Sequence, residues 1–377
     1  MKKTTLSPPP PALLAHSQQL IQTMTCQTQQ FSFVEFMQRA LYTPGLGYYS
    51  GGLQKLGKTG DFVTAPEISP LFSQCIANQC EQVLQQLENG VILEFGAGSG
   101  IMAADILKHL AQLQRLPQQY YILEISAELA QRQQNTLRKQ LTDELFAKVQ
   151  WLTSLPEEPM QAVILANEVL DAMPVHKFKV EENYVAEFYV NYRDEQFEWQ
   201  LLPTSNILLQ TTVNHLNLPV GYVSEVNLLL EPWIKTIADS LEKGLILLID
   251  YGFLRSEYFH PQRNEGTLMC HYQHHTHPDP LILVGLQDIT AHVDFTAVSE
   301  AAEKCNLQVA GYTQQANFLL ASGLLNNLTQ YETQEINAEY FQLAQQVKTL
   351  TLPSEMGELF KVMALTRELD FPLTGFA

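Results

Sequence analysis

The stretch Val91-Ile92-Leu93-Glu94-Phe95 runs directly into Gly96-Ala97-Gly98-Ser99-Gly100. A short, largely apolar run followed at once by glycines predicts a buried strand that ends in a tight turn. From Ile101 onward the apolar residues recur at helical spacing, so a helix is expected to open after the turn. Glycines between a strand and a helix N-terminus let a ligand approach the backbone closely. The stretch therefore predicts a ligand-binding strand–turn–helix unit.

Further short apolar runs alternate with helical patterns along the chain. This alternation is typical of an α/β fold with a mostly parallel sheet. The expected strands are Val91–Phe95, Tyr120–Ile125, Val149–Thr153, Ala162–Ala166 and Leu245–Ile249, and the expected helices are Ile101–Leu113, Ala127–Leu141 and Asn227–Leu241.

The remaining sequence is expected to surround this core. Residues 1–11 end in four prolines and predict a disordered or polyproline-II lead, and residues 12–88 predict an N-terminal helical cap. The core domain is expected over 89–377, with insertions at about 173–226 and 255–286. The other expected elements are two helices within Leu13–Leu41, a helix at Ser69–Gln86, strands at Tyr184–Tyr192 and Phe197–Leu201, and a tail with a helix at Phe295–Cys305, a strand at Leu307–Tyr312, helices across Asn317–Leu350 and a last strand at Leu359–Thr366.

The chain of 377 residues is strongly acidic, because 22 Lys and Arg against 40 Asp and Glu give a net charge of −18. Such a charge repels phosphate backbones and anionic lipids, which argues against nucleic acid and membrane surfaces as partners. It would attract a cationic protein or peptide. On composition alone, acidity that serves solubility is the simpler interpretation.

The five cysteines form no CxxC pair, which argues against a disulfide framework or a zinc knuckle and favours a reducing compartment. The N-terminus shows no apolar signal-peptide segment, and its first arginine is Arg39, so no mitochondrial transit helix is predicted. No apolar run approaches the ~20 residues that cross a bilayer. These features predict a cytoplasmic protein.

Two acidic residues help to choose among the ligands that such a turn can hold. Glu94 lies two residues before the first glycine, where a carboxylate could meet the ammonium group of an amino-acid moiety but would not help to bind a phosphate. Glu124 ends the second strand, where an acid can bind ribose hydroxyls. Gly98–Ala103 also satisfies the dinucleotide pattern G-x-G-x-x-A, a weak signal by itself. Glu94 favours S-adenosylmethionine over a dinucleotide, and a βα turn without a ligand is the remaining alternative.

Eight segments that span nearly the whole chain together form a family pattern: Ala40–Tyr49, Gly60–Glu67, Glu94–Gly100, Asn167–Pro174, Ile249–Gly252, Gly266–Leu268, Asp288–Phe295 and Met356–Lys361. In these segments the chain resembles the MidA-like family, whose mitochondrial members are the complex I assembly arginine methyltransferases. The mitochondrial role is not carried over, because no transit helix is predicted.

The resemblance implies a Rossmann-like class I methyltransferase sheet, mostly parallel, with one antiparallel strand near the C-terminus. It also implies that Gly60-Asp61-Phe62 of the cap closes over the cofactor. The residues expected to bind S-adenosylmethionine are Asp61, Glu94, Gly96, Ala97, Gly98, Gly100, Glu124, Ile125 and Asn167.

Glu168 and Asp171, which follow the fourth strand, are candidate acceptor-binding residues. Three positions apart on a following helical turn, they could face the same way. Two carboxylates can grip a guanidinium and leave one of its nitrogens more nucleophilic. Alternatively, Glu168 caps a helix and Asp171 is merely exposed. His292, four residues after Asp288, is a candidate base near neutral pH, although a lone histidine beside a helix start is more often structural.

Cys270, His271, His274, His275 and His277 invite a metal interpretation. Their irregular spacing and the prolines that follow them favour a solvated loop instead, and no metal is expected.

The sequence thus predicts an S-adenosylmethionine-dependent protein methyltransferase whose acceptor is a basic side chain, arginine first. The alternatives are a non-catalytic assembly factor that retains the cofactor fold as a docking surface, and a small-molecule methyltransferase. The expected partner is a protein with a basic target residue, without nucleic acid or membrane, and a homodimer is left open.

Overall fold

The computed structural model describes residues 8–51, 63–331 and 338–377. The chain forms two compact units. The accessory unit contains residues 8–51 together with Asp171–Leu229 and Ser256–His292. The core unit contains Val63–Leu170, Leu230–Arg255 and the described part of Val293–Ala377.

The elements are numbered in chain order. The strands are β1 (Gln30–Ser32), β2 (Val91–Phe95), β3 (Tyr120–Leu123), β4 (Val149–Leu152), β5 (Met160–Asn167), β6 (His176–Val180), β7 (Val185–Arg193), β8 (Gln196–Pro203), β9 (Val223–Val226), β10 (Leu241–Phe253), β11 (Met269–Tyr272), β12 (His275–His277), β13 (Asp288–Thr290), β14 (Val293–Asp294), β15 (Gln308–Gln314) and β16 (Phe360–Arg367). The helices are α1 (Pro11–Thr25), α2 (Phe33–Tyr42), α3 (Ala65–Ile68), α4 (Pro70–Leu84), α5 (Ile101–Gln112), α6 (Ala127–Gln140), α7 (Asp143–Phe146), α8 (Ile207–His215), α9 (Leu230–Asp239), α10 (Arg255–Tyr258), α11 (Phe295–Lys304), α12 (Gln315–Ala321), α13 (Leu324–Thr329) and α14 (Ala338–Thr351), and a 3₁₀ turn covers Thr374–Phe376.

The core unit is built on a sheet with the strand order β15-β16-β10-β5-β2-β3-β4, and β14 pairs with β10. The pairs β10–β5, β5–β2, β2–β3 and β3–β4 are all parallel. Among the strands in this order, β16 alone points in the opposite direction, because it is antiparallel to both β10 and β15. The prediction of a mostly parallel sheet with one antiparallel strand near the C-terminus is confirmed.

Burial on both faces explains why the central strands read as apolar runs. Every residue of Val91–Phe95 is buried, because helices cover a parallel sheet on both sides. The core on one side includes Phe72, Ile76 and Cys80 of α4 together with Ile106 and Leu107 of α5. The turn after β2 is therefore anchored at both ends by buried elements.

The accessory unit carries an antiparallel sheet with the order β1-β7-β6-β9, and β8 pairs with the other edge of β7. Helix α2 begins with a capping box, in which the Ser32 hydroxyl and the Glu35 carboxylate satisfy each other's backbone nitrogens. Its buried face joins α1 residues in a shared core that includes Leu20, Phe33 and Phe36. A second, three-stranded sheet has the order β12-β11-β13.

The observed elements differ from the expected ones in several places. Helix α1 already starts at Pro11, which was expected in the disordered lead. The expected helix Asn227–Leu241 is shorter, because Leu241 already pairs with Met160 as the start of β10. The expected cap 12–88 is divided differently, since residues 63–88, with α3 and α4, belong to the core unit.

The His-rich segment forms a hairpin where a loop was predicted, but its tip is solvated, as expected. Strands β11 and β12 form an antiparallel hairpin in which Cys270 pairs with His277 and His271 with Thr276. Cys270 is fully buried in the core of the accessory unit, whereas residues 273–276 at the tip of the hairpin are exposed. Across the described residues, no group of three or more His, Cys, Asp or Glu side chains is arranged to hold a metal ion.

Within the described ranges, no helix combines the length and the apolar character that a membrane crossing requires.

Candidate cofactor and acceptor site

The glycine turn lies at the point where the strand order of the core sheet reverses. After β2 the chain proceeds outward through β3 and β4, and then returns to the other side of β2 as β5. Phe95 pairs with Ala166, so Gly96, which follows β2, and Asn167, the last residue of β5, lie side by side at the carboxyl edge of the sheet. Open α/β sheets bind their ligands at this position, outside the carboxyl ends of the strands.

The backbone of the turn requires glycine at two positions in particular. Gly96 has φ of +60° and Gly100 has φ of +85°, a region that side chains other than glycine rarely adopt. Among the described residues, only Val169 would contact a Cβ at Gly96, at 3.7 Å, so these residues leave space for a ligand there. A Cβ at Gly100 would lie 3.3 Å from the Cα of Gln133, so close helix packing holds the far end of the turn.

Glu94 lies at the base of this turn and is almost completely buried, with 1% of its surface exposed. Its Oε2 accepts a hydrogen bond from the Tyr120 hydroxyl at 2.7 Å. Burial raises the pKa of Glu94 to about 7, against the hydrogen bond from Tyr120, which lowers it, while the charge of Glu124 raises it further. The carboxyl group is therefore poised to change its charge near neutral pH.

Glu124 directly follows β3 at the same carboxyl edge of the sheet. Its Oε1 accepts from the backbone nitrogen of Ser126 at 2.8 Å, and its Oε2 accepts from the Gln133 amide at 2.9 Å. Ile125, by contrast, exposes 72% of its surface. An oriented acid beside an exposed apolar side chain suits a ligand with hydroxyl groups and a flat apolar ring.

Asn167 and Glu168 close the edge on the β5 side. The Asn167 Nδ2 donates to Glu168 Oε1 at 3.2 Å. Within the described residues, Asn167 Oδ1 is buried and accepts no hydrogen bond, an arrangement that costs free energy unless a ligand supplies the donor. Glu168 has φ of +53°, and its backbone nitrogen donates to Ile249 O at 2.9 Å.

The prediction that Glu168 and Asp171 share a helical turn is wrong. Residues 168–175 form bends and a turn, because the positive φ of Glu168 takes the backbone out of helical geometry. The side chain of Asp250 also holds this segment, since its Oδ2 accepts from the backbone nitrogen of Leu170 at 2.9 Å. Glu168 belongs to the core unit and Asp171 to the accessory unit.

In the accessory unit, Asp171 is buried, with 3% of its surface exposed, and not the exposed residue of the alternative interpretation. Its carbonyl oxygen accepts from the backbone nitrogen of Ala291 at 3.0 Å, so it lies beside the segment that carries His292. His292 is half-buried, and its backbone nitrogen donates to the Thr267 hydroxyl at 3.1 Å. Asp61, the remaining predicted residue, lies outside the described residues.

Sequence reasoning missed the residues that hold the two acids in place. Tyr120 and Gln133 each donate to a predicted cofactor-binding carboxylate, and the Ser99 hydroxyl donates to Glu67 of α3. A signal was present for Gln133, which is a polar residue at a buried position of the amphipathic helix α6. No comparable signal marked Tyr120, which reads as an ordinary strand residue.

Taken together, the core-unit residues fit S-adenosylmethionine. An acid lies at the base of the glycine turn, a second acid follows the next strand, and the residues that the structure describes leave space above Gly96. The orphaned Oδ1 of Asn167 marks a place for a further hydrogen-bond donor. A pyrophosphate would meet Glu94 as a like charge.

The family model of S-adenosyl-L-methionine-dependent methyltransferases matches residues 75–313 of the chain. Among curated proteins, the mitochondrial protein arginine methyltransferase NDUFAF7 homolog of Drosophila melanogaster is 28% identical over 91% of this chain and 84% of that protein. The mitochondrial protein arginine methyltransferase NDUFAF7 of Homo sapiens is 26% identical, over 90% of this chain and 80% of that protein.

A solved structure also matches along the whole chain. The crystal structure of a protein from Burkholderia thailandensis, bound to S-adenosyl-homocysteine, is 39% identical in sequence and has a TM-score of 0.92. The match covers 99% of this chain and 98% of that chain. A native crystal structure of a protein from the same organism has a TM-score of 0.91, with the same sequence identity and the same coverage of both chains.

Proposed function

Since the chain belongs to the S-adenosyl-L-methionine-dependent methyltransferase family, we propose that it transfers a methyl group from S-adenosylmethionine to an arginine side chain of a protein. The cofactor would lie over Gly96–Gly100, and that it is an adenosyl compound is supported by a similar Burkholderia thailandensis protein that was solved with S-adenosyl-homocysteine bound. The names of the curated relatives support arginine as the acceptor. The net charge of −18 suits a basic target.

The placement of Glu94 and Glu124 around the glycine turn is the observation that carries the cofactor part of the proposal. Glu94, at the base of the turn, would bind the ammonium group of the methionine moiety. Glu124, fixed by Ser126 and Gln133, would accept from the ribose hydroxyls, and Ile125 would contact the adenine ring. When bound, the cofactor supplies an electrophilic methyl group on its sulfonium.

Glu168 is the residue proposed to bind the acceptor from the core unit. Its carboxylate follows β5 beside Asn167, at the edge of the sheet where the ligand would lie. A carboxylate hydrogen-bonded to a guanidinium localises the positive charge and leaves another nitrogen more nucleophilic. Asp171 and His292 remain candidate acceptor-binding and proton-accepting residues of the accessory unit.

Calorimetric titration of the purified protein tests the cofactor part. We expect S-adenosylmethionine and S-adenosylhomocysteine to bind with micromolar affinity, and NADH not to bind. Absence of binding by both adenosyl compounds would favour a non-catalytic assembly factor, and binding of NADH instead would identify a dinucleotide site.

Methylation of a lysate from a strain that lacks the gene tests the acceptor part. We expect the protein to label arginine side chains of one or a few proteins with the methyl group of labelled S-adenosylmethionine. Mass spectrometry of the labelled peptides identifies the modified atom. Label found only in small molecules would contradict a protein acceptor, while label on another residue type would contradict arginine alone.

Cofactor affinity is expected to depend on pH through Glu94. Because burial raises the pKa of Glu94 to about 7, the carboxylate that binds the ammonium group is mostly ionised at pH 8 and mostly neutral at pH 6. The affinity for S-adenosylhomocysteine should therefore fall about tenfold between pH 8 and pH 6, the ratio of ionised fractions for such a pKa.

The Glu94→Gln variant is the control for this pH dependence. It should bind more weakly than the wild type at pH 8 and show a flat profile between pH 6 and pH 8, since glutamine does not titrate. A wild-type affinity that is constant over this range would show that Glu94 does not bind the ammonium group.

A further inference from the structure

Gln133 lies at the centre of the hydrogen-bond network behind the proposed cofactor site. It is fully buried in α6. Its Nε2 donates to Glu124 Oε2 at 2.9 Å and to the carbonyl oxygen of Gly98 at 3.2 Å. Its Oε1 accepts from Trp151 Nε1 at 2.9 Å. One side chain therefore connects the acid after β3, the glycine turn after β2 and strand β4.

The partners of Gln133 determine the orientation of its amide. An indole N–H can only donate, so Oε1 must face Trp151. The two hydrogens of Nε2 then face Glu124 and Gly98, and both of these present acceptors. A flip of the amide would lose the three hydrogen bonds at once, in a place where a buried polar group without a partner is costly.

Glu124 receives one donor on each carboxylate oxygen from this arrangement. Ser126, at the N-cap of α6, supplies its backbone nitrogen to Oε1, and Gln133 supplies Nε2 to Oε2. One donor caps α6 and the other lies within it, so the helix fixes the plane of the carboxylate. The backbone of Gln133 also packs against Gly100.

We propose that Gln133 is a positioning residue for the ribose of the cofactor. It does not need to touch the ligand, because it acts through Glu124, whose carboxylate it orients, and through Gly98, whose carbonyl it holds. Trp151 fixes Gln133 in turn. This inference rests on the proposed function, since it assigns a role in binding an adenosyl ligand.

A merely structural role for Gln133 gives a different experimental result. Loss of packing would lower stability, or weaken all ligands of the site to the same extent. Loss of positioning would lower the affinity for S-adenosylhomocysteine more than the affinity for its analogue without the two ribose hydroxyls. The ratio of these two dissociation constants therefore reports the role of Gln133.

The test uses Gln133→Met, which keeps the length of the side chain and removes its polar atoms. We expect this variant to bind S-adenosylhomocysteine about tenfold more weakly than the wild type, as for the loss of a hydrogen bond to a charged group. The affinity for the analogue without the two ribose hydroxyls should change less than about threefold, which corresponds to the free energy of a weak hydrogen bond between neutral groups. Gln131→Met, an exposed position on the same helix, is the matched control and should bind both ligands as the wild type does.

Trp151→Phe provides a second variant that keeps Gln133 itself. It removes the donor to Oε1, so the amide can rotate, and we expect the same selective loss in smaller measure. If both variants keep the wild-type ratio of dissociation constants, the positioning role is overturned while the proposed function stands. If the wild type binds neither adenosyl ligand, both the inference and the proposed function fail.

Discussion

Replacement of Glu168 by glutamine is expected to lower methyl transfer at least about 100-fold, as for the loss of a charged group that acts at the reacting atoms. Glutamine keeps the size of the side chain and a hydrogen-bond acceptor, but it removes the negative charge that would localise the charge of a guanidinium. The backbone nitrogen of residue 168 would still donate to Ile249 O, so the segment after β5 should keep its conformation. The rate of label transfer to lysate proteins measures the effect.

Two further measurements separate this role of Glu168 from a general loss of function. Calorimetry of Glu168→Gln should give a dissociation constant for S-adenosylhomocysteine within about twofold of the wild type, because Glu168 is not assigned to the cofactor. A change of about twofold corresponds to only a fraction of the free energy of one hydrogen bond. Glu242→Gln, at an exposed position of β10 in the same unit, should transfer methyl groups at the wild-type rate. Undiminished transfer by Glu168→Gln would show that Glu168 does not bind the acceptor, even if the chain is an active methyltransferase.

The central sheet could be predicted strand by strand because its chemistry is local. Val91–Phe95 is buried on both faces, so its apolar character shows directly in the sequence. The strand ends were harder to predict. β5 extends to Asn167, which pairs with Ile249, and β10 continues past Ile249, where Asp250 pairs with Lys361 of β16. Pairing with a neighbour decides such ends, and a single strand does not reveal its neighbour.

The two acids of the cofactor site were also predictable, whereas their supports were not. Glu94 and Glu124 stand at fixed places relative to a strand and a turn, which the sequence shows. Their donors Tyr120 and Gln133 come from another strand and from the interior of a helix. Only the folded structure brings these donors to the carboxylates, because the hydrogen bonds depend on packing rather than on spacing.

The segment after β5 misled the sequence analysis for a local reason. Because Glu168 and Asp171 lie three positions apart, a helical turn that aligns them was predicted. The tertiary structure prevents this turn, since Glu168 adopts a positive φ and the backbone nitrogen of Leu170 donates to the side chain of Asp250. Asp250 is 80 residues away in sequence, so its effect could not be read from the segment itself.

The accessory unit was the least predictable part of the chain. Its sheet joins β1 to β7, with Phe31 opposite Val190, although the segment Val63–Leu170 of the core unit separates these residues in the sequence. Alternation within a strand indicates one buried face, but it does not state which distant strand will pair with it. The His-rich hairpin shows the same limit. Its strands are short and polar, so they lack the alternation of apolar and polar residues that indicates a strand.

Replacement of Glu225 by alanine is expected to lower the free energy of unfolding by about 3–5 kcal/mol, the usual cost of removing one partner from a buried ion pair. Glu225 in β9 is fully buried, and it accepts from Lys177 Nζ at 2.6 Å and from the backbone nitrogen of Thr267 at 2.7 Å. Alanine would leave the Lys177 cation, which exposes only 12% of its side chain, without this partner. Urea denaturation followed by circular dichroism measures the loss.

The ion pair between Lys179 and Glu181 provides a matched control in the same unit. Lys179 lies two residues after Lys177 in β6, and its Nζ is 2.7 Å from Glu181 Oε1, but the two side chains are 32% and 25% exposed. Glu181→Ala should therefore cost less than about 1 kcal/mol, because water replaces the lost partner. Equal losses for the two variants would contradict the assignment of the difference to burial.

The contacts that make Glu225 important for stability also connect it to His292, the candidate base. Gly266 has φ of +90°, and a Cβ there would overlap the Glu225 carboxylate, so the Gly266–Thr267 backbone wraps closely around this one side chain. Thr267 in turn accepts from the backbone nitrogen of His292 through its hydroxyl. Since the carboxylate holds the loop and the loop holds residue 292, Glu225→Ala should expose the segment around His292 to faster amide hydrogen exchange than Glu181→Ala does.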